Sequence, residues 1–165
     1  MYSTLLRQHK AKLKNARKPF RRLLNKLEKV STRGIHKILP AIDAEVWQEV
    51  DCLSCANCCK KMTPTYTPKD IKRIAAHTKY TEAAFKTKWL RKQRNGDWIN
   101  KSLPCQFLNK ATHKCNIYDV RPADCAGFPH LLKKPFSDYT HVHKQNIDYC
   151  PASFKMVEKL SIVIG

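Results

Sequence analysis

Apolar residues in the first quarter of the chain fall at three- and four-residue intervals. Leu13, Ala16, Phe20, Leu23, Leu24, Leu27 and Val30 form one stripe, and Lys and Arg fill the opposite face. This period predicts an amphipathic helical segment from Leu5 to about Leu39. Pro19 predicts a break or restart within it, and Gly34 and Pro40 predict its end. The acidic stretch AIDAEVWQEVD, residues 41–51, reads as a short amphipathic helix or turn. Further on, Thr67, Pro68 and Asp70 carry the signature of a helix start: a hydroxyl cap, proline at the first helical position and an acid in the first turn. Ile71, Ile74 and Ala75 then face a core. Thr81 opens a second helix with Phe85, Trp89 and Leu90 inside. Asn95-Gly96 marks a tight turn before DWINKSL, a short strand. From Pro104 to Pro151 the chain is punctuated by proline and has little periodicity, so a bound metal would supply order that secondary structure does not. The tail ASFKMVEKLSIVIG reads as a short helix with an apolar end.

These elements predict a mainly α, small, loop-rich and metal-organised domain with short helices and little strand. Residues 1–45 read as a basic amphipathic helical extension and residues 46–165 as the cysteine-bearing domain. At 165 residues and 42% apolar, the chain is long enough to bury a core without covalent staples. No apolar run is long enough to cross a membrane. The start MYSTLLRQHKAKLK has no apolar leader region, so a cytoplasmic, reducing location is expected.

Charge sharpens this picture. The formal net charge is +19, and residues 1–40 hold 12 of the 32 Lys and Arg but only one of the 13 acids, Glu28. One reading is a helix docked through its Leu face with its cations in water. The other is a basic arm, residues 1–40, that meets nucleic acid or an anionic surface.

The chemistry lies in eight cysteines: Cys52, Cys55, Cys58, Cys59, Cys105, Cys115, Cys125 and Cys150. The first four stand in CLSCANCC. Cysteines three apart, with a turn between them, place both sulfurs on one ion, as in zinc knuckles and iron–sulfur loops. Packing sets no such spacing, disulfides need an oxidising compartment, and a thioredoxin-type pair lacks its βαβ context here. Metal ligation remains. Cys52, Cys55 and Cys58 resemble the three-ligand loop of a cubane cluster, and Cys150-Pro151 offers the remote Cys-Pro that often completes one. Eight thiols in a loop-rich domain equally suit structural zinc, so zinc and iron both stay open. Neighbouring residues point apart, so Cys58 and Cys59 are expected to feed two adjacent centres or one bridged centre. Cys105, Cys115 and Cys125 are expected to arrive on separate loops, with Lys60, Lys61, Lys114 and Arg121 near the thiolates.

The blocks CLSCANCC, PCQFLNKATHKCNIYDVRPADCAGFP and YCP resemble the CxxCxxCC zinc- or iron-chelating domain family, the YkgJ-type cysteine-cluster proteins. The resemblance runs from about Cys52 to Pro151. It implies a metal site built from all eight cysteines, of unassigned biochemical role. Relatives often have Arg after the cysteine of the Arg-Pro-x-x-Cys step, whereas Ala126 follows Cys125 here, which removes one positive charge. A related cluster occurs in flagellin lysine methylases, for whose remaining parts this chain is too short.

Other groups carry weaker signals. His130, His141 and His143 are candidate ligands or proton carriers, with His141 and His143 on one face if the segment is a strand. They equally read as surface or hydrogen-bonded histidines. Tyr118, Asp119 and Arg121 stand between ligand cysteines as supports, with Arg121 facing a carboxylate. No phosphate-binding glycine loop, dinucleotide fingerprint or HExxH motif occurs. No catalytic pair stands at a fixed spacing, so enzymatic activity is left open. The competing functions are a metal-binding protein, a redox or metalloenzyme with an iron–sulfur centre, and a nucleic-acid-binding module with structural metal.

Overall fold

A computed structural model describes residues 4–31 and 33–164. The first three residues of the expected basic extension, Thr32 within it and Gly165 at the tail lie outside the described residues. The protein is mainly α-helical with one small sheet. It divides into two compact units: the described residues of Met1–Cys55 with Pro129–Gly165, and Ala56–Phe128.

The first unit is helical. Helix α1, Thr4–Leu27, and α2, Arg33–Glu49, are followed by the single turn α3, Cys52–Cys55. After the second unit come α8, Thr140–Asn146, and α9, Pro151–Ile164. α1 packs on α8 and α9, and α2 packs on α9. Leu24, Val46, Ile147, Phe154, Met156 and Leu160 are buried between them, and Phe20 meets Phe154 with ring centroids 5.1 Å apart. Cations and acids line the seams: Arg17 and Arg21 reach Asp148, Lys144 reaches Glu28, and Lys155 and Lys159 reach Glu49.

The helix boundaries differ from the expected ones. α1 continues through Pro19, and α2 contains both Gly34 and Pro40. Both prolines are exposed, so each forfeits one hydrogen bond on the solvent side while the buried stripe continues beneath. The real break follows Leu27, which leaves Val30 exposed rather than on the apolar face. Residues 41–49 belong to α2 and are not a separate helix.

The second unit opens with the one-turn helix α4, Asn57–Lys61, and strand β1, Thr65–Tyr66. Helices α5, Pro68–His77, and α6, Glu82–Trp89, follow. The Thr67–Asp70 capping box forms in full, and the Thr81 hydroxyl caps α6, as expected. Strands β2, Leu90–Lys92, and β3, Trp98–Asn100, make a hairpin around Gly96, whose φ of 93° suits glycine. The sheet order is β1-β3-β2, all antiparallel, with Thr65 opposite Ile99 and Arg91 opposite Ile99 on the other side. Tyr66, Ile71, Ile74, Ala75, Phe85 and Leu90 form the core, with Trp89 half-buried at its edge. Cys105 and Cys115 pack against this core. A further single turn, α7, spans Ala123–Gly127.

Candidate metal centre

In the second unit, α4 carries Cys58 and Cys59. Their sulfurs lie 3.9 Å apart. Four sulfurs placed about 2.3 Å from a tetrahedral zinc ion are separated by about 3.8 Å, a spacing with which this pair is compatible. The adjacent side chains, expected to feed two adjacent centres or one bridged centre, thus bring their sulfurs into contact with each other. Neighbours in a helical turn are only about 100° apart, and side-chain rotation closes the rest. The Cys58 thiol donates to Cys59 and pulls the Cys59 thiol down to about 7; burial opposes this, and Lys60 assists. Cys59 is therefore more readily ionised than Cys105, Cys115, Cys125 and Cys150, all of which burial pushes up.

The Cys59 carbonyl accepts the backbone N–H of Cys105 at 2.7 Å, which fixes a segment 46 residues away in sequence. Cys105 begins a small hairpin. Leu108 bridges Cys115, and backbone bonds join Asn109 with Lys114 and Asn116 with Phe107. Cys105 and Cys115 thus sit on the two arms of one hairpin and not on separate loops. The turn between them closes through residues 109–114, with His113 at φ 60°.

Each hairpin cysteine is treated alike by its backbone. Burial pushes both thiols up, while the N–H of Phe107 points at the Cys105 sulfur and that of Ile117 at the Cys115 sulfur, favouring the thiolate. Arg121 adds its charge for Cys115. It also stacks 3.9 Å from the Tyr118 ring centroid and donates to the Tyr118 carbonyl at 2.7 Å.

Cys125 lies on α7, whose position is fixed by two aspartates. Ala123 N–H donates to Asp70 Oδ1 at 3.0 Å, and Thr65 N–H donates to Asp124 Oδ2 at 3.0 Å. Arg73 bonds both Asp70 and the Arg121 carbonyl. Burial raises the Cys125 thiol strongly, and the charges of Cys59, Cys105, Asp124 and Cys115 raise it further. Those cysteines therefore lie within one another's fields. Positive charge from a metal ion would reverse that repulsion. Asp70 and Asp124 are the groups that sequence reading missed as supports of this region: the Asp70 cap was visible, but its bond to Ala123 joins residues 53 apart.

The first unit holds the other three cysteines. Asp51 caps α3 through the Leu53 N–H at 3.0 Å, and this turn carries exposed Cys52 and buried Cys55. Cys150 precedes Pro151 at the start of α9. Burial pushes its thiol up to about 12, against the favourable Ser153 and Ala152 N–H groups; the Cys52 charge adds to the rise. The Cys-Pro pair thus places a sulfur over the amides that open a helix. No disulfide joins any of the eight. Among the described residues, no three His, Cys, Asp or Glu side chains stand in ready-made coordination geometry.

The histidines divide. The segment is helix α8, so His141 and His143 point to opposite sides, one exposed and one buried. His143 is fully buried, stacks on Phe136 at 4.8 Å, and neither ring nitrogen has a hydrogen-bond partner among the described residues. No helix of the described residues is long and apolar enough to cross a membrane.

The model of the CxxCxxCC family, described as a putative zinc- or iron-chelating domain, matches residues 51–151. The chain belongs to this family. It is also 35% identical over 84 residues to an uncharacterized protein of Methanocaldococcus jannaschii, a match covering 50% of this chain and 45% of that protein. The chain thus spans less than half the length of this relative. No solved structure matches.

Proposed function

We propose that the protein is a thiolate metal-binding protein in which Cys58 and Cys59, with two of the three thiols Cys105, Cys115 and Cys125, supply the four ligands of a zinc centre in the second unit. Cys52, Cys55 and Cys150 are the ligand set of the first unit. The observation that carries this reading is the 3.9 Å separation of the Cys58 and Cys59 sulfurs, compatible with the edge of an all-sulfur tetrahedron. The amides aimed at Cys105 and Cys115 support it, because they favour the charged form that a metal requires. Bound zinc would neutralise the thiolates and tie the hairpin and α7 to α4. Eight available thiols suit a reducing compartment such as the cytoplasm.

The test is metal content and acid-labile sulfide on protein purified without oxygen, with its visible spectrum. Zinc without sulfide or colour supports the reading. Iron with matching sulfide and a brown absorption band overturns zinc in favour of an iron–sulfur redox centre. Protein that carries neither metal, and takes up neither when offered under reducing conditions, overturns metal binding altogether.

A further inference from the structure

The basic face of α1 is not used by the metal chemistry. At 100° per residue, Arg7, Lys14, Lys18 and Arg22 fall within an arc of about 80°, flanked by Lys10 and Lys26. All six are exposed. Thr4–Leu27 contains no acidic residue. The cations of α1 that lean toward α8 and α9 are consumed locally: Lys12 pairs with Glu158, and Arg17 and Arg21 pair with Asp148. Among the described residues, no carboxylate pairs with the six on the outer face. They form a stripe about 28 Å long that winds over an arc of about 160° of the outer face.

We infer that this row is a docking surface for the phosphate backbone of a nucleic-acid duplex. Its length matches roughly eight base pairs at 3.4 Å per pair. The alternative anionic partner, a lipid surface, fits less well. Interfacial helices insert an apolar face, but the apolar face of α1, with Leu6, Phe20, Leu24 and Leu27, is already buried. The outer face offers no aromatic or leucine anchor; Ala11, Asn15 and Asn25 lie between its cations. Contact through charge alone, along a line, is how a protein reads phosphate without reading sequence.

The experiment uses the full-length, metal-loaded protein with a labelled 20-base-pair duplex, as RNA and as DNA of the same sequence, over 50–200 mM salt. Each phosphate contact contributes about 0.9 to the slope of log affinity against log salt for DNA. K14Q/K18Q/R22Q is expected to lower that slope by about 2.7, equivalent to about a 40-fold smaller loss of affinity across the range. K69Q/K72Q/K110Q, which removes equal charge from exposed positions of the second unit, is expected to leave the slope nearly intact. Far-UV circular dichroism checks that both variants keep their helices. Preference for RNA or DNA identifies which duplex supplies the phosphates. Equal slopes lost by the two variants, no duplex binding at 50 mM salt, or binding confined to vesicles of phosphatidylcholine with 30% phosphatidylserine would overturn the inference.

Discussion

The carboxylate of Asp70 accepts the backbone N–H of Ala123 at 3.0 Å. The same side chain closes the capping box at Thr67 and pairs with Arg73. One buried acid therefore links the start of α5 to the turn that carries Cys125. Burial pushes its carboxyl up, but the hydrogen bonds from Thr67, Ala123 and Arg73 outweigh this and hold it below its ordinary 3.8. Because the folded pKa is depressed, its contribution to stability is present above pH 4 and is lost as the pH falls below that value. Asp70→Ala is expected to cost roughly 2–3 kcal/mol in urea unfolding, through the lost cap and the stranded Ala123 amide. Zinc affinity, measured by chelator competition, is expected to fall about 10- to 100-fold, as for residues that support metal ligands. A variant that loses stability but keeps full affinity would separate Asp70 from the site.

Thiol reactivity should follow ionisation. In metal-free protein at pH 7, iodoacetamide is expected to label Cys59 ahead of the thiols that burial raises, since Cys58 and Lys60 hold its thiol at about 7. Cys125 and Cys150, raised by burial, should be labelled last. Timed labelling with peptide mapping reads the order, and added zinc should suppress the Cys59 reaction. Slower labelling of Cys59 than of Cys125 would contradict the geometry around α4.

His143 makes the first unit acid-sensitive. Burial lowers its pKa from 6.5 to about 4, with His130 and His141 adding like charge. Unfolding exposes a ring that takes up a proton, so the unfolded state binds more protons between pH 6.5 and 4. Stability is complete above that window and declines as the pH falls through it, by up to roughly 3 kcal/mol. His143→Leu is expected to flatten the dependence of the urea midpoint on pH across this range. An unchanged pH profile in the variant would assign the acid sensitivity to other groups.

Pro19 lies inside a continuous, exposed stretch of α1. Replacement by alanine restores a helix donor and removes a ring clash. Pro19→Ala is therefore expected to stabilise the protein by roughly 1–3 kcal/mol, less whatever the proline saves in unfolded-chain entropy. Destabilisation by this substitution would mean that a bend at Pro19 is needed for packing against α8 and α9.

The features legible in the sequence are those written locally. The Thr67 and Thr81 caps, the Asn95-Gly96 turn, the mainly α class and the family resemblance all need only a few adjacent residues or a spacing. The misread ones depend on packing. Pro19, Gly34 and Pro40 are ordinarily helix breakers, but here they face away from buried side chains and the helices run through them. His141 and His143 share a face only in a strand, and the helix there separates them. Cys58 and Cys59 point apart as backbone positions, yet their sulfurs meet through rotation about the side-chain bonds. The hairpin joining Cys105 to Cys115 is held by backbone bonds between residues with no turn signature as clear as Asn-Gly, and the Asp70–Ala123 bond has no local signal at all.

X-ray absorption at the zinc edge, on protein purified without oxygen, tests the central reading most directly, with wild type and Cys59→Ser compared. Wild type is expected to show a shell of four sulfur neighbours at about 2.3 Å. Cys59→Ser is expected to lose zinc or to exchange one of those sulfurs for oxygen. A wild-type shell dominated by nitrogen or oxygen, or an unchanged four-sulfur shell and zinc content in Cys59→Ser, would contradict the thiolate centre at Cys58 and Cys59.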